Sequence, residues 1–160
     1  MEKSIKAAHN SRWRAADVVF GLMLTAGFVL NLVYPMSLEG LMPPYLFHLI
    51  GAPLLALGSF IILSSKRDLQ QFEQSSEPGR ATTQLVTSGL YQYSRNPSYL
   101  GIMICFFGLA IAMDMPWFLV LALPTLVFTQ VYLIGPEEIY LERKFGKEYS
   151  NYKKRVRSWL

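Results

Sequence analysis

The chain has 160 residues, enough for about one domain, and combines 52% hydrophobic with only 16% charged residues, a balance too apolar for an ordinary soluble protein. Its formal net charge is +4, but the basic residues flank long uncharged runs, so anionic lipid headgroups account for them and no nucleic-acid partner is expected. The single cysteine, Cys105, rules out an intrachain disulfide and a thiolate metal centre, and no metal site is expected.

In chain order, residues 1–14 form a short polar arm carrying Lys3, Lys6, Arg12 and Arg14. Four apolar runs follow, at residues 18–34, 45–63, 99–113 and 116–134. Each is read as a membrane crossing, for which roughly 20 residues cover about 30 Å of hydrocarbon. The first two make a hairpin closed by residues 35–44, where Pro43 and Pro44 suit a helix entry because a missing amide does little harm there. The last two make a second hairpin around residues 114–116, with so short a link that they must be antiparallel neighbours.

Between the hairpins, Ser64, Lys66, Asp68, Gln71 and Glu73 extend the second helix, Glu77-Pro78-Gly79 makes a turn, and Thr82 to Thr87 leads to the third run. From Gly135 onward the chain reads as one amphipathic helix, because Ile139, Leu141, Phe145, Tyr149 and Tyr152 recur every three to four residues between charges. This helix is expected to lie on the membrane surface and pack over the central loop.

The basic residues fix orientation. Four precede the first run, Lys66, Arg67, Arg80 and Arg95 lie between the second and third, and seven, from Arg143 to Arg157, follow the fourth. The connections around Glu39 and Asp114 carry none, so both termini and the central loop are expected in the cytoplasm. The first run is not read as a cleaved signal, since Asn31-Leu32-Val33-Tyr34-Pro35 offers no small-residue cleavage site. The expected fold is an all-α integral membrane protein of four transmembrane helices in two hairpins, with a cytoplasmic loop and a C-terminal amphipathic helix. A bacterial inner membrane is preferred to the endoplasmic reticulum.

Two segments carry candidate chemistry. In Gly89-Leu90-Tyr91-Gln92-Tyr93-Ser94-Arg95-Asn96-Pro97-Ser98-Tyr99-Leu100-Gly101, Gly89 can turn the backbone and Arg95 can grip a carboxylate with two parallel hydrogen bonds. Pro97 sets the entry to the third helix. The plainer reading makes Arg95 a positive-inside residue and the tyrosines an interfacial belt. In the second segment Glu137 and Glu138 follow Pro136, where they favour a helix N-terminus and could meet a ligand cation. His48 and Gln130 are polar residues within apolar runs. His48 suits an interhelical hydrogen bond, and Gln130 can line a pocket.

Together with Glu137-Glu138-Ile139-Tyr140-Leu141-Glu142-Arg143-Lys144-Phe145-Gly146-Lys147-Glu148-Tyr149-Ser150-Asn151-Tyr152, the first segment resembles the isoprenylcysteine carboxyl methyltransferase family and the related membrane phospholipid methyltransferases. The likeness covers about residues 85–157. Where that family usually has histidine after the arginine, this chain has Asn96, which hydrogen-bonds but does not titrate. The family's Arg-x-x-Pro-like ending is replaced by Arg157-Ser158-Trp159-Leu160.

The resemblance implies a single domain over 1–160, with a helical hairpin at 1–64 and a cofactor-binding half at 65–160. It implies S-adenosylmethionine as cofactor, held by Gly89, Leu90, Tyr91, Arg95, Asn96, Pro97, Tyr99, Gln130, Glu137 and Glu138. Glu137 and Arg157 are the implied catalytic residues, Arg157 steering an anionic acceptor. The implied partners are membrane lipids and a lipophilic acceptor similar to an isoprenylcysteine carboxylate. A membrane reductase using a nicotinamide dinucleotide phosphate and a non-catalytic accessory membrane protein stay open as alternatives.

Overall fold

The computed structural model describes residues 2–41, 43–72 and 84–160, and side chains from Val18 onward. The side chains of Lys3, Lys6, Arg12 and Arg14, the residues Glu73, Arg80, Thr82 and Thr83, and the expected Glu77-Pro78-Gly79 turn lie outside the described residues. The order is α1 (Glu2–Val33), α2 (Pro44–Gln71), a 3-10 turn (Gly89–Gln92), α3 (Pro97–Ala112), α4 (Trp117–Phe128), a π-helical turn (Thr129–Ile134), α5 (Gly135–Phe145) and α6 (Lys147–Arg155). No strand forms among the described residues. The helix Pro44–Gln71 and the continuous helix Trp117–Phe145 are long and apolar enough to cross a membrane, with mean hydropathies of 2.2 and 2.0. The segments Val18–Val33 and Pro97–Ala112 are apolar but shorter.

Two boundaries differ from the sequence expectation. The fourth apolar run does not stop before the tail but passes into α5 through the π-helical turn, where the amide of Gly135 reaches the carbonyl of Gln130. Pro136 has no amide to give, and the wider register carries the helix past it. The tail is two helices rather than one, because Gly146 stands at φ 52°, a left-handed conformation that glycine adopts without a Cβ clash.

α2 and α3 approach backbone to backbone. Gly51 and Gly58 on α2, and Gly101 and Gly108 on α3, are two helical turns apart and buried. A Cβ built on Gly58 would stand 2.7 Å from the Gly101 carbonyl oxygen, and one on Gly101 2.8 Å from the Gly58 carbonyl oxygen. Small residues therefore allow contacts that a side chain would block, as in lipid-embedded helix pairs. α1 joins this pair through Phe20, Met23 and Leu24, which pack on the buried Met103, Phe106, Ala110 and Phe118. Gly27 gives the Phe118 ring its room. Phe118 meets Phe106 and Phe28 edge-on at 6.0 and 5.2 Å.

At one end of the bundle the two hairpin turns are tied together. Asp114, at φ 51°, accepts hydrogen bonds from the Ser37 hydroxyl and the Leu38 amide, and the Trp117 indole donates to the Tyr34 carbonyl at 2.7 Å. The opposite end carries residues 84–97, α5 and α6, so consecutive helices of the bundle run antiparallel. Its outer surface is apolar, with Leu32, Phe60 and Leu123 more than half exposed, as a lipid-facing surface requires. His48 also lies on an exposed face of α2. It makes no hydrogen bond among the described residues, and the α2 face that meets α3 is the glycine face.

Candidate functional site

The motif end is built on the last turns of α2. Ser65 is fully buried and its hydroxyl meets Ser98 Oγ at 2.5 Å and the Tyr91 hydroxyl at 3.3 Å. One turn on, the Asp68 carboxylate accepts the Leu90 amide at 2.8 Å. Gly89 stands at φ 62°, and a Cβ there would overlap the Asp68 carboxylate, so glycine is required twice over. These contacts hold the 3-10 turn against α2. α6 closes it from the other side, since the Tyr152 hydroxyl donates to the Tyr91 carbonyl at 2.5 Å. Tyr149, Tyr152 and Val156 form a small core there with Leu85, Leu141 and Phe145, and the tail packs over the central loop as expected.

Tyr91 is thereby fixed at both its hydroxyl and its carbonyl. Burial, with the nearby charges of Glu137 and Asp68, pushes its phenol up to about 12, so it stays neutral and acts as a hydrogen-bonding group. Burial raises the phenols of Tyr149 and Tyr152 as well.

Arg95 and Glu138 meet at 2.6 Å between Nη2 and Oε1. Arg95 is 9% exposed and Glu138 16%; Lys153 adds a second cation 3.7 Å from Glu138. Arg95 Nε and Nη1 are buried and have no hydrogen-bond partner among the described residues. That is two donors of a planar fork left unused, at a cost of about 1–3 kcal/mol each until something accepts from them. Glu137 precedes Glu138 on the first turn of α5, past the uncharged stretch that ends at Ile134. Burial first, and the Glu138 charge second, push its carboxyl up to about 7. No cation pairs with it among the described residues. An acid with a raised carboxyl thus precedes, in sequence, the partner of an arginine with spare buried donors, a set of groups that suits a ligand with both a carboxylate and an ammonium.

The remaining candidates fall into two groups. Gly89, Leu90 and Tyr91 form the 3-10 turn, and Pro97 is the buried first residue of α3. Tyr99 lies in the apolar core with Leu133 and Ile134, its ring 6.3 Å from that of Phe20, so it faces packing rather than an open cleft. Asn96 and Gln130 are engaged by the last residues of the chain. The Asn96 amide group donates to the Ser158 carbonyl at 2.9 Å and its hydroxyl at 3.1 Å; Gln130 Oε1 accepts from the Trp159 indole at 2.8 Å. Arg157 comes beside Arg95 through its backbone, whose carbonyl accepts the Arg95 amide at 3.0 Å, while its side chain is exposed. Sequence reasoning did not single out Ser65, Ser158 or Trp159, and took Asp68 only as part of a polar extension. The three-residue spacing of Ser65 and Asp68, which sets them on one helix face, was the available signal for that pair.

A family model described as phospholipid methyltransferase matches residues 46–148, well over half of the chain, covering the first motif and most of the second. The chain belongs to the phospholipid methyltransferase family. That membership agrees with the resemblance carried by Arg95 and the Glu137-Glu138 pair, and with the two long apolar helices it makes this a membrane methyltransferase. No curated protein and no solved structure matches the chain.

Proposed function

We propose that this family member transfers a methyl group from S-adenosylmethionine to a lipophilic acceptor, at the end of a four-span bundle whose termini face the cytoplasm. The observation that carries the reading is the pair of Arg95 donors without a partner among the described residues, on an arginine held by Glu138, the neighbour in sequence of Glu137. Arg95 Nε and Nη1 suit the cofactor's carboxylate, and ionised Glu137, with Glu138 behind it, suits its ammonium and sulfonium charge. Tyr91, locked by Ser65 and Tyr152, offers a rigid neutral wall to the adenosine side. When bound, the cofactor supplies an electrophilic methyl group. The protein's task is then alignment of the two reactants and exclusion of water. The nucleophile is a carboxylate, thiol or amine on a molecule that enters from the lipid, with an isoprenylcysteine-type carboxylate as the leading case. The exposed Arg157 steers such an anion toward Glu137.

The test is incubation of the purified protein with methyl-labelled S-adenosylmethionine and a membrane lipid extract. A labelled lipid is the expected product. Tight binding of a nicotinamide dinucleotide phosphate instead would move the protein to reductase chemistry, and affinity for neither would leave an accessory role.

Cofactor affinity should also depend on pH. Glu137 is protonated below about 7, and a bound cation favours its ionised form, so binding expels a proton and weakens as pH falls. Between pH 7 and pH 5.5 the dissociation constant of S-adenosylmethionine is expected to rise by about an order of magnitude, measured by calorimetry in detergent. A flat profile would separate Glu137 from the cationic end of the ligand.

A further inference from the structure

The last four residues do not trail away from the bundle; each of the first three makes a contact with a residue of the cofactor half. The Arg157 carbonyl takes the Arg95 amide at 3.0 Å. The Ser158 carbonyl takes Ser94 Oγ at 3.3 Å and Asn96 Nδ2 at 2.9 Å, and Ser158 Oγ takes Asn96 Nδ2 at 3.1 Å. Trp159 then turns inward. Its indole donates to Gln130 in the π-helical turn at 2.8 Å, and its ring packs against the two buried clusters that contain Tyr99, Leu133 and Ile134, and Met103 and Phe106.

We infer that the C-terminal tetrapeptide is a strap that positions the cofactor cradle, with Asn96 and Trp159 as its two positioning residues. The inference rests on the functional reading above. Arg95 is held on one side by Glu138, which leaves the direction of its fork to the backbone of residues 94–96. The Ser94 amide bonds the Leu90 carbonyl and the Asn96 amide bonds Ser94 Oγ, while the Arg95 amide between them reaches the Arg157 carbonyl. The strap thus holds the Arg95 amide and the side chains of Ser94 and Asn96, and Trp159 fixes the strap's far end to the helix that carries Glu137. The strap therefore sets the separation between the donors on Arg95 and the acid on α5. The position of Asn96 follows the same logic: its two donor hydrogens meet two acceptors on one residue of the tail, and no proton need move there.

The test compares wild type with Asn96→Ala, Asn96→His and Trp159→Phe. S-adenosylmethionine affinity is read by calorimetry, and tail mobility by a nitroxide at Leu160→Cys in a Cys105→Ser background. Asn96→Ala should free the nitroxide and weaken binding about tenfold, the equivalent of one to two hydrogen bonds. Asn96→His, which restores one N–H donor, should recover most of both. Trp159→Phe keeps the ring and loses only the N–H, and should weaken binding about fivefold. A ligand-free thermal midpoint close to wild type in Trp159→Phe separates positioning from folding. If wild type binds the cofactor and both Asn96→Ala and Trp159→Phe bind it equally well, or if the nitroxide stays immobile in Asn96→Ala, the strap is overturned alone. If wild type binds no S-adenosylmethionine, the functional reading falls and the strap with it.

Discussion

Replacing Arg95 by alanine is expected to weaken S-adenosylmethionine binding by at least a hundredfold while the protein still inserts and folds. The side chain is 9% exposed, and Nε and Nη1 have no partner among the described residues, so the free protein already bears the cost of two dry donors. A ligand carboxylate relieves that cost and adds two charge-assisted bonds, each worth about 1.5–3 kcal/mol. Losing both amounts to roughly two to four powers of ten in the dissociation constant. Arg95→Lys keeps the charge but not the fork, and should recover only part of the affinity. Wild-type affinity in Arg95→Ala would remove the arginine from the site.

Glu137→Gln sharpens the same prediction through pH. In wild type, burial and the Glu138 charge push the carboxyl up to about 7 in the fold, above its ordinary value in the unfolded chain. Between those two values the unfolded state sheds its proton first, so stability falls as pH rises and the full penalty applies above 7. Glu137→Gln should thus bind the cofactor far less tightly than wild type at pH 8, match it at pH 5.5, and raise the ligand-free thermal midpoint at pH 8. A more stable but less competent variant is what a strained functional acid gives. Thermal denaturation and calorimetry at the two pH values decide it.

The second large effect is expected at the α2–α3 contact. Gly101→Ala places a methyl group where the Gly58 carbonyl oxygen is 2.8 Å away and the Ile62 side chain also 2.8 Å. Backbone cannot yield as a flexible side chain does, so the helices must separate along the whole glycine face. Overpacking of this kind costs about 1–3 kcal/mol, and in a chain of this size each kcal/mol lowers the thermal midpoint by about 2–4 °C. Gly21→Ala on α1, where a Cβ meets nothing within 4 Å, serves as the control and should be neutral or slightly stabilising. Because α2 also carries Ser65 and Asp68, which hold Tyr91 and Leu90, Gly101→Ala should weaken cofactor binding as well. A thermal midpoint equal to wild type would show that the close approach is dispensable.

The helical class, the hairpin of α3 and α4 and the membership of a membrane methyltransferase family were legible from the chain, since each rests on local information, whereas the expected first hairpin does not close as a packed pair, because α1 lies against α4 instead of α2. Uncharged runs such as residues 45–63 must satisfy their backbone as helix in lipid, and Arg95 with Glu137 and Glu138 sits in motifs of fixed spacing. The polar-to-apolar period of the tail likewise announced Leu141, Phe145, Tyr149 and Tyr152 as a packing face.

Other features depended on residues far apart in sequence. That Arg95 pairs with Glu138 rather than Glu137, leaving the second acid without a cation among the described residues, is decided by how α5 leaves the π-helical turn beside the 3-10 turn. No local pattern encodes that distance. The same holds for Asn96, whose side chain looks like a substitution for a titrating residue until Ser158, 62 positions later, is brought against it. Sequence by itself determined which apolar segments are helical and which charged residues stand in the two motifs, because propensity, hydropathy and side-chain chemistry are properties of short stretches. Only the tertiary structure decided which donors remain unused, since a hydrogen bond is satisfied or orphaned by its neighbours in space.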